Sequence, residues 1–415
     1  MPKKYTKSIL IFILVAGFLA YEMAIQVSPA VIIKPLMAEL HIDALGLGLM
    51  AGCYYYTYTL MQVPAGLLLD RYPFGKIMFL PIMACAVGAI LFGLSNSVMQ
   101  ASIARMLMGA GSAFAFIAVL VVAAEHFQAK YFALLAGFTQ LLAALGAMVG
   151  GWPLVPFFAQ AGWRKGMFGL GCLGLLLALL ITLWGRYPKP NQSANMTPVK
   201  FSSSLKIIFS NAQTWYLAVY ACLLWAPMAA FASLWGIPYL QETYSLSNSN
   251  AAALNSLLWL GIAVGSPLLG WWSDVLGRRK LPLACAAVLG LNTMALLIYC
   301  KDLPLGLVGI LLFLIGAACS GQALSFAVVK ENNLPGNNAA AIGFNNMAVV
   351  VAGAIFQPII GKLIQLHSPT QAGQQIHYSS YDFQFGLSIL PLCFGVALFI
   401  SLFFIRETFG KNIAR

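Results

Sequence analysis

Apolar residues run in blocks of about twenty, separated by short polar stretches, along the whole chain. The blocks fall at roughly 7–35, 45–69, 76–95, 99–123, 131–157, 165–185, 212–240, 249–272, 280–300, 304–328, 339–365 and 382–405. About 20 apolar residues in a helix cross a bilayer's hydrocarbon core. The pattern therefore predicts an all-α membrane protein with twelve transmembrane helices, the long first and fifth being tilted or curved. The first block follows Lys3, Lys4 and Lys7, as in a signal peptide. It runs well past the apolar core of such a peptide, about 7–15 residues, so it is read as a retained first helix. The longest polar stretch is "GRYPKPNQSANMTPVKFSSSLK", 185–206. It follows six blocks and precedes six, and its Pro, Ser, Asn and Lys content reads as a linker. The expected organisation is a six-helix bundle over 1–185, a cytoplasmic linker over 186–211 and a second six-helix bundle over 212–415. A short surface helix is expected over 203–211. The other long connection is "HSPTQAGQQIHYSS", 367–380.

Composition supports this reading. The chain is 61% hydrophobic and 8% charged, whereas soluble domains carry about 25% charged residues. So few charges do not cover a water-facing surface, and lipid is the solvent of most of it. The net charge of +12 does not form a nucleic-acid-binding stripe, because Lys and Arg sit in short clusters between the blocks. With the N-terminus in the cytoplasm, all of the 23 basic residues lie on the cytoplasmic side except Lys34, Arg105, Arg164, Lys165, Lys301 and Lys362. That bias places both termini on the cytoplasmic side. The eight cysteines are isolated, without a CxxC or Cys/His cluster. They read as packing residues, and no metal or cofactor is expected. His41, His126, His367 and His377 fall near loops, and no G-x-x-x-x-G-K-[ST] loop occurs. Neither an enzyme nor an ATP-driven pump is expected.

The two halves contain a repeat. "GLLLDRYPFGK" closes the second block at 66–76 and "GWWSDVLGRRK" closes the eighth at 270–280. Asp274 lies 204 positions after Asp70, and each follows a Gly by four and precedes a basic turn. These residues resemble the signature of the major facilitator superfamily of secondary transporters, roughly G-x-x-x-D-[RK]-x-G-[RK]-[RK]. Gly66, Asp70, Arg71, Gly75 and Lys76 match with altered spacing. Gly270, Asp274, Gly277, Arg278, Arg279 and Lys280 match more closely. "RMLMGAGSA", 105–113, is similar to the family's fourth-helix R-x-x-x-G-x-G. The resemblance implies two pseudo-symmetric bundles around a central cavity, working by alternating access. It also implies a gating role for Gly66, Asp70, Arg71, Gly270, Asp274, Arg278 and Arg279. An Asp at a helix end can accept from backbone N–H groups at a neighbouring helix N-terminus and latch one side closed. The alternative is a positive-inside turn without a gating role. "YYYTYTLMQVPAGLLLDRYP", 54–73, and "FASLWGIPYLQETYSLS", 231–247, resemble the phagosomal nutrient transporters, which import amino acids or nucleosides. The antiporter signature of helix five is only partly present in "LLAALGAMVGG", 141–151: Ala147 stands where Pro is expected.

The candidate chemistry centres on two charges at membrane depth, Glu22 and Arg105. Such groups cost at least about 2.5 kcal/mol to insert and face a cavity or a partner. In the resembling fold, helices one and four line the central cavity, so Glu22 and Arg105 are expected to pair. Three roles are open for Glu22: a proton switch against Arg105, direct grip of a substrate amine, or a static ion pair. The repeat positions in the second half are Ala226 and Gly309, so ionic chemistry is expected in the first half alone. Further substrate-binding candidates are Tyr21, Gln26, Tyr58 and Gln140. In the second half they are Trp225, Phe231, Trp235, Asn255, Trp259, Gln322, Asn345 and Asn346. Pro227, Gly236 and Pro238 interrupt the seventh block, and broken helices are where transporter sites tend to form. Each polar residue also has a plainer reading as an interhelical hydrogen bond.

The expected function is amino-acid uptake by proton symport or facilitated diffusion, by a monomer in the lipid bilayer acting on a small molecule and protons. The alternatives are nucleoside uptake, or proton-driven export of a drug or siderophore-like compound. A membrane sensor or membrane enzyme is disfavoured by the paired Asp signatures and the missing catalytic cluster.

Overall fold

Each apolar block becomes helix. The computed structural model describes residues 2–72, 77–127, 129–184, 209–300, 302–334, 338–367 and 378–413. The first helices are α1 (Pro2–Val27), α2 (Ile33–Leu40), α3 (Ala44–Arg71), α4 (Phe79–Leu94), α5 (Val98–Ser112), α6 (Ala115–His126), α7 (Ala129–Gly151), α8 (Leu154–Ala161) and α9 (Trp163–Trp184). The remainder are α10 (Ala212–Ala226), α11 (Gly236–Tyr244), α12 (Asn248–Leu276), α13 (Lys280–Tyr299), α14 (Leu305–Cys319), α15 (Gly321–Glu331), α16 (Asn338–His367), α17 (Ser380–Leu387) and α18 (Ile389–Phe403). The chain divides into two compact units, Met1–Ser193 with Ser247–Ala253, and Ala194–Leu246 with Leu254–Arg415. The expected linker, and the short helix expected at 203–211, lie outside the described residues up to 208.

Twelve spans follow from these helices. Among the described residues ten helical stretches are long and apolar enough to cross a bilayer. They include the composite spans Val98–Ala123, Phe138–Ala161, Ala212–Tyr244, Leu305–Glu331 and Ser380–Phe403. To these add α3, which turns by 108° from α2, and α4, 16 residues long. Their outer faces are greasy: Ile13, Leu60, Leu80, Trp271 and Phe403 are exposed. Apolar surface of that extent belongs in lipid. Side chains cap several starts. Asp43 accepts from the Gly46 N–H (2.7 Å), Asn211 from the Gln213 N–H (3.0 Å), and Ser379 with Asp382 forms a capping box.

Six blocks are not single helices: the fourth, tenth and twelfth divide at Ala113–Phe114, Ser320 and Ser388, and three more change form. The block expected over 7–35 stops as α-helix at Val27, narrows to a 3-10 turn over Ser28–Val31 and restarts as α2. Pro29 is the reason: without an N–H it offers no donor to the carbonyl four residues back, on Ile25. The fifth block divides into α7 and α8 around Trp152 and Pro153. The seventh, expected to be broken, stays continuous but widens: Pro227–Trp235 is a π-helix between α10 and α11. There the Gly236 N–H reaches the Phe231 carbonyl, five residues back, and Ser233 Oγ donates to the Met228 carbonyl at 2.8 Å.

Small residues set the geometry of the first unit. Cβ atoms at Gly146 and Gly150 would collide with the backbone of Ala20 and Ala24, so α7 and α1 touch backbone to backbone at a four-residue spacing. Ala20 and Ala24 face α7, so Glu22 and Gln26, two positions on, lie on roughly the opposite face of α1. Gly109 of α5 does the same work against α3, where a Cβ would strike the Tyr54 carbonyl and Thr57 Oγ1. Thr57 Oγ1 donates to the Met106 carbonyl at 2.7 Å and fixes this crossing. Gly109→Val is expected to force α5 off α3, costing at least the ~1–3 kcal/mol of an overpacked core. Thermal unfolding in detergent checks this; an unchanged midpoint would remove the crossing from the account.

Candidate functional site

Arg105 lies one turn before Gly109 and so on the same face of α5. That is the physical content of the R-x-x-x-G spacing: the glycine brings the helices close, and the arginine is carried to what lies beside them. Arg105 is 1% exposed, with its guanidinium carbon 4.6 Å from the centre of the Tyr54 ring. This is a cation–π distance. Its Nη1 donates to the Ile25 carbonyl at 3.0 Å and its Nη2 to the Gln26 carbonyl at 3.3 Å. The Ile25 carbonyl is the one that Pro29 leaves without its helical donor, and Ser28 Oγ also donates to it at 3.1 Å. Arg105 thus closes the frayed end of α1.

Glu22 sits on α1 one turn before these carbonyls. It is fully buried, and neither carboxylate oxygen has a hydrogen-bond partner among the described residues. The phenols of Tyr54 and Tyr58 face it, and the Cys85 thiol is within electrostatic reach. The expected ion pair between Glu22 and Arg105 is not made. Two guanidinium nitrogens are committed to backbone carbonyls by the proline-broken helix end, and Nε has no partner. Tyr54 stands with both groups: Arg105 lies over its ring, and its hydroxyl faces the carboxyl side. Gln26 Nε2 donates to the Tyr55 hydroxyl at 2.8 Å. Of the four tyrosines that the sequence offers here, Tyr54, Tyr55, Tyr56 and Tyr58, the sequence reading favoured Tyr58 over Tyr54 and Tyr55. The missed signal is the four-residue spacing of Tyr54 and Tyr58, which puts both on one face of α3.

Neither Tyr21 nor Gln140 makes a hydrogen bond to the Glu22 carboxyl. Tyr21 is buried with its hydroxyl against Gly174 of α9. Gln140 is half-buried on α7.

In the second unit several of the candidates meet at the π-helix. Asn255 Nδ2 donates to the Ala232 carbonyl and Gln357 Nε2 to the Ala229 carbonyl, both at 2.8 Å. Trp235 Nε1 donates to the Gln357 carbonyl at 3.1 Å. Phe231 packs on Tyr239 with centroids 5.7 Å apart, and Trp225 on Trp259 at 6.5 Å. Asn345 Nδ2 donates to Ser325 Oγ at 2.8 Å, and that hydroxyl donates to the Gln322 carbonyl at 2.6 Å. Gln322 is buried and Asn346 half-buried.

The candidate gate differs from the expected latch. Asp274 accepts from the Arg279 side chain at 2.6 Å instead of capping a neighbouring helix. The residue that accepts from backbone N–H groups is Glu407, in the tail after α18. It takes those of Arg279 (2.8 Å) and Lys280 (3.0 Å) at the start of α13, and of Thr408 and Phe409. The physical reason is reach. Asp274 is bound to the turn it begins, whereas the tail returns across the same helix ends. Arg279 also pairs with Glu331 at 3.0 Å, and Glu331 accepts from Thr408. Partial burial works against the Arg279 charge, but Glu331 and Asp274 outweigh it and raise its affinity for the proton above the ordinary value. Arg278 is exposed, with its carbonyl accepting from Ser273 Oγ at 2.8 Å. Gly66 and Gly270 have open space around them. The side chains of Asp70 and Arg71, and the turn with Gly75 and Lys76, lie outside the described residues.

Burial raises the Glu407 carboxyl, yet the four backbone N–H groups outweigh it and hold it below the ordinary carboxylate range. A depressed folded value stabilises fully above the unfolded value and is lost as pH falls through the folded one. The thermal midpoint is therefore expected to fall below about pH 4.3. Glu407→Gln is expected to be less stable at neutral pH, with the gap to wild type closing in acid. A gap independent of pH would contradict the capping role.

The sequence model of the Major Facilitator Superfamily matches residues 10–357 and 225–414. The chain belongs to this superfamily. Among curated members, an uncharacterized transporter of Bacillus subtilis (strain 168), YybO, is 24% identical over 65% of this chain and 66% of its own length. The hexuronate transporter of Escherichia coli (strain K12) is 24% identical over 84% of each chain. Among solved structures, a bacterial homolog to the human lysosomal transporter Spinster, inward-facing and unoccupied, fits with a TM-score of 0.79. The fit is at 14% identity over 95% of this chain and 96% of that one. The superfamily fold, two six-helix bundles, is that of this chain. The protein is a membrane transporter of small solutes.

Proposed function

We propose that the protein imports a small polar solute together with protons, by alternating access, with Glu22 carrying the proton. The observation behind this is a fully buried carboxyl without an ionic partner, one turn from an arginine held on the backbone of the same helix. An unpaired charge in such a place is too costly, so Glu22 holds its proton in this conformation. Arg105 keeps one donor, Nε, uncommitted. When α1 shifts and opens the site, that donor is available to the Glu22 carboxylate or to a solute carboxylate, and the proton leaves as charge appears. The Asp274–Arg279–Glu331 network and the Glu407 cap hold the ends of the second-unit helices and are released as the gate opens. The basic clusters support cytoplasmic termini in a bacterial inner membrane, and a single chain suffices as the working unit.

An amino acid would satisfy both charges, its carboxylate at Arg105 and its ammonium at Glu22. A hexuronate, the solute in the name of the Escherichia coli relative, offers the same carboxylate without an ammonium. The departure at Ala147 from the antiporter pattern favours uptake over export. The test is uptake into proteoliposomes of labelled leucine, glucuronate and uridine, with and without an inward proton gradient. Gradient-dependent accumulation of one of them is expected; uptake that ignores the gradient for all three would overturn proton coupling.

A further inference from the structure

Asn255 and Gln357 approach the π-helix from α12 and α16. Each amide has one hydrogen-bond direction forced on it. The carbonyls of Ala232 and Ala229 accept only, so the NH2 groups of Asn255 and Gln357 must point at them. An amide flip would set oxygen against oxygen. Both side-chain oxygens are therefore left as acceptors, and neither has a donor among the described residues. The residues are 4% and 1% exposed. A buried acceptor without a donor carries a desolvation cost that an incoming donor would relieve. Both lie beside the π-helix, and Asn255 Oδ1 sits at Gly236, where a Cβ would collide with it and come within 2.7 Å of the Phe231 ring.

The kind of donor follows from charge. The acids of the second unit are Glu242, Asp274, Asp302, Glu331, Asp382 and Glu407, and every one lies at a helix end or in a connection. No carboxylate stands near the middle of its spans to balance an ammonium. A full positive charge would be desolvated against neutral amides alone, whereas a hydroxyl or a neutral N–H is matched by them.

We propose that the second unit binds the part of the transported solute bearing neutral hydroxyl or N–H donors, through Asn255 Oδ1 and Gln357 Oε1. This rests on the reading of the chain as a solute importer and narrows its solute to a polyhydroxylated or nucleobase-like class. The buried rings of Phe231 and Trp235, on the same π-helix, supply apolar walls.

The test measures binding to the purified full chain in detergent, by ligand-dependent shift of the thermal midpoint without any gradient. The probes are glucuronate against adipate, uridine against 2′,3′-dideoxyuridine, and leucine. Glucuronate or uridine is expected to bind about tenfold or more tightly than its donor-poor partner, as the loss of a hydrogen bond to a buried acceptor requires. Asn255→Leu and Gln357→Leu are expected to erase that preference. Equal binding within both pairs, binding of leucine alone, or binding of no probe would overturn the proposal. If the leucine variants do not fold, the wild-type pairs decide. A failure of proton coupling in vesicles leaves this preference untouched, so the two readings fail separately.

Discussion

Glu22→Gln is expected to bind solute and exchange it across the membrane but to accumulate none of it. The substitution keeps the size of the side chain and a hydrogen-bonding terminus, so α1 keeps its packing through Ala20 and Ala24 on Gly146 and Gly150. What it removes is the titrating proton. One pH unit across the membrane is worth about 1.4 kcal/mol per proton, a tenfold concentration ratio for a one-proton carrier. The wild type is expected to approach that ratio and the variant to stay near one. Solute counterflow between equal-pH compartments is expected to be similar for the two. A variant that still concentrates solute would leave Glu22 as a structural or substrate-binding group.

Arg105→Ala is expected to act on both stability and transport. The guanidinium satisfies two carbonyls at the end of α1 and lies over the Tyr54 ring. Without it, the Gln26 carbonyl is left buried and unpaired, and the Ile25 carbonyl keeps only the Ser28 hydroxyl. The expected cost is about 1–3 kcal/mol per orphaned acceptor, seen as a lowered thermal midpoint. Arg105→Lys separates the two effects. One ammonium on a flexible stem can restore a carbonyl contact but has no planar fork to hold two carbonyls and leave a third donor free. It is expected to recover much of the stability and little of the transport. Recovery of both would reduce Arg105 to a helix clamp.

Much of the fold was legible because the bilayer imposes a length. Twelve apolar blocks became twelve spans, and the repeat at Asp70 and Asp274 marked two halves. The breaks were harder to place. Proline signals an interruption but not its form. Pro29 ends α1, whereas Pro227 begins a π-helix whose carbonyls are taken up by Asn255 and Gln357 from distant sequence. The pairing of Glu22 with Arg105 was inferred from their being the two mid-span charges. The structure brings them to the same helix end but spends Arg105 on the backbone, an acceptor that every residue carries and no sequence pattern displays. The tail cap was hidden for a related reason. Glu407 is an ordinary exposed-looking acid in sequence, and two of its four backbone N–H partners, those of Arg279 and Lys280, are more than a hundred residues away. Tyr54 was passed over among four tyrosines because its importance comes from Gly109, across a helix crossing.

The central claim is that a proton crosses with the solute by way of Glu22. The direct measurement is lumenal pH in proteoliposomes of equal internal and external pH, followed with a trapped dye while the transported solute is added outside. The wild type is expected to acidify the lumen as solute enters, and Glu22→Gln to take up solute by exchange with no change in pH. Equal acidification by both, or none by the wild type during uptake, would contradict the account.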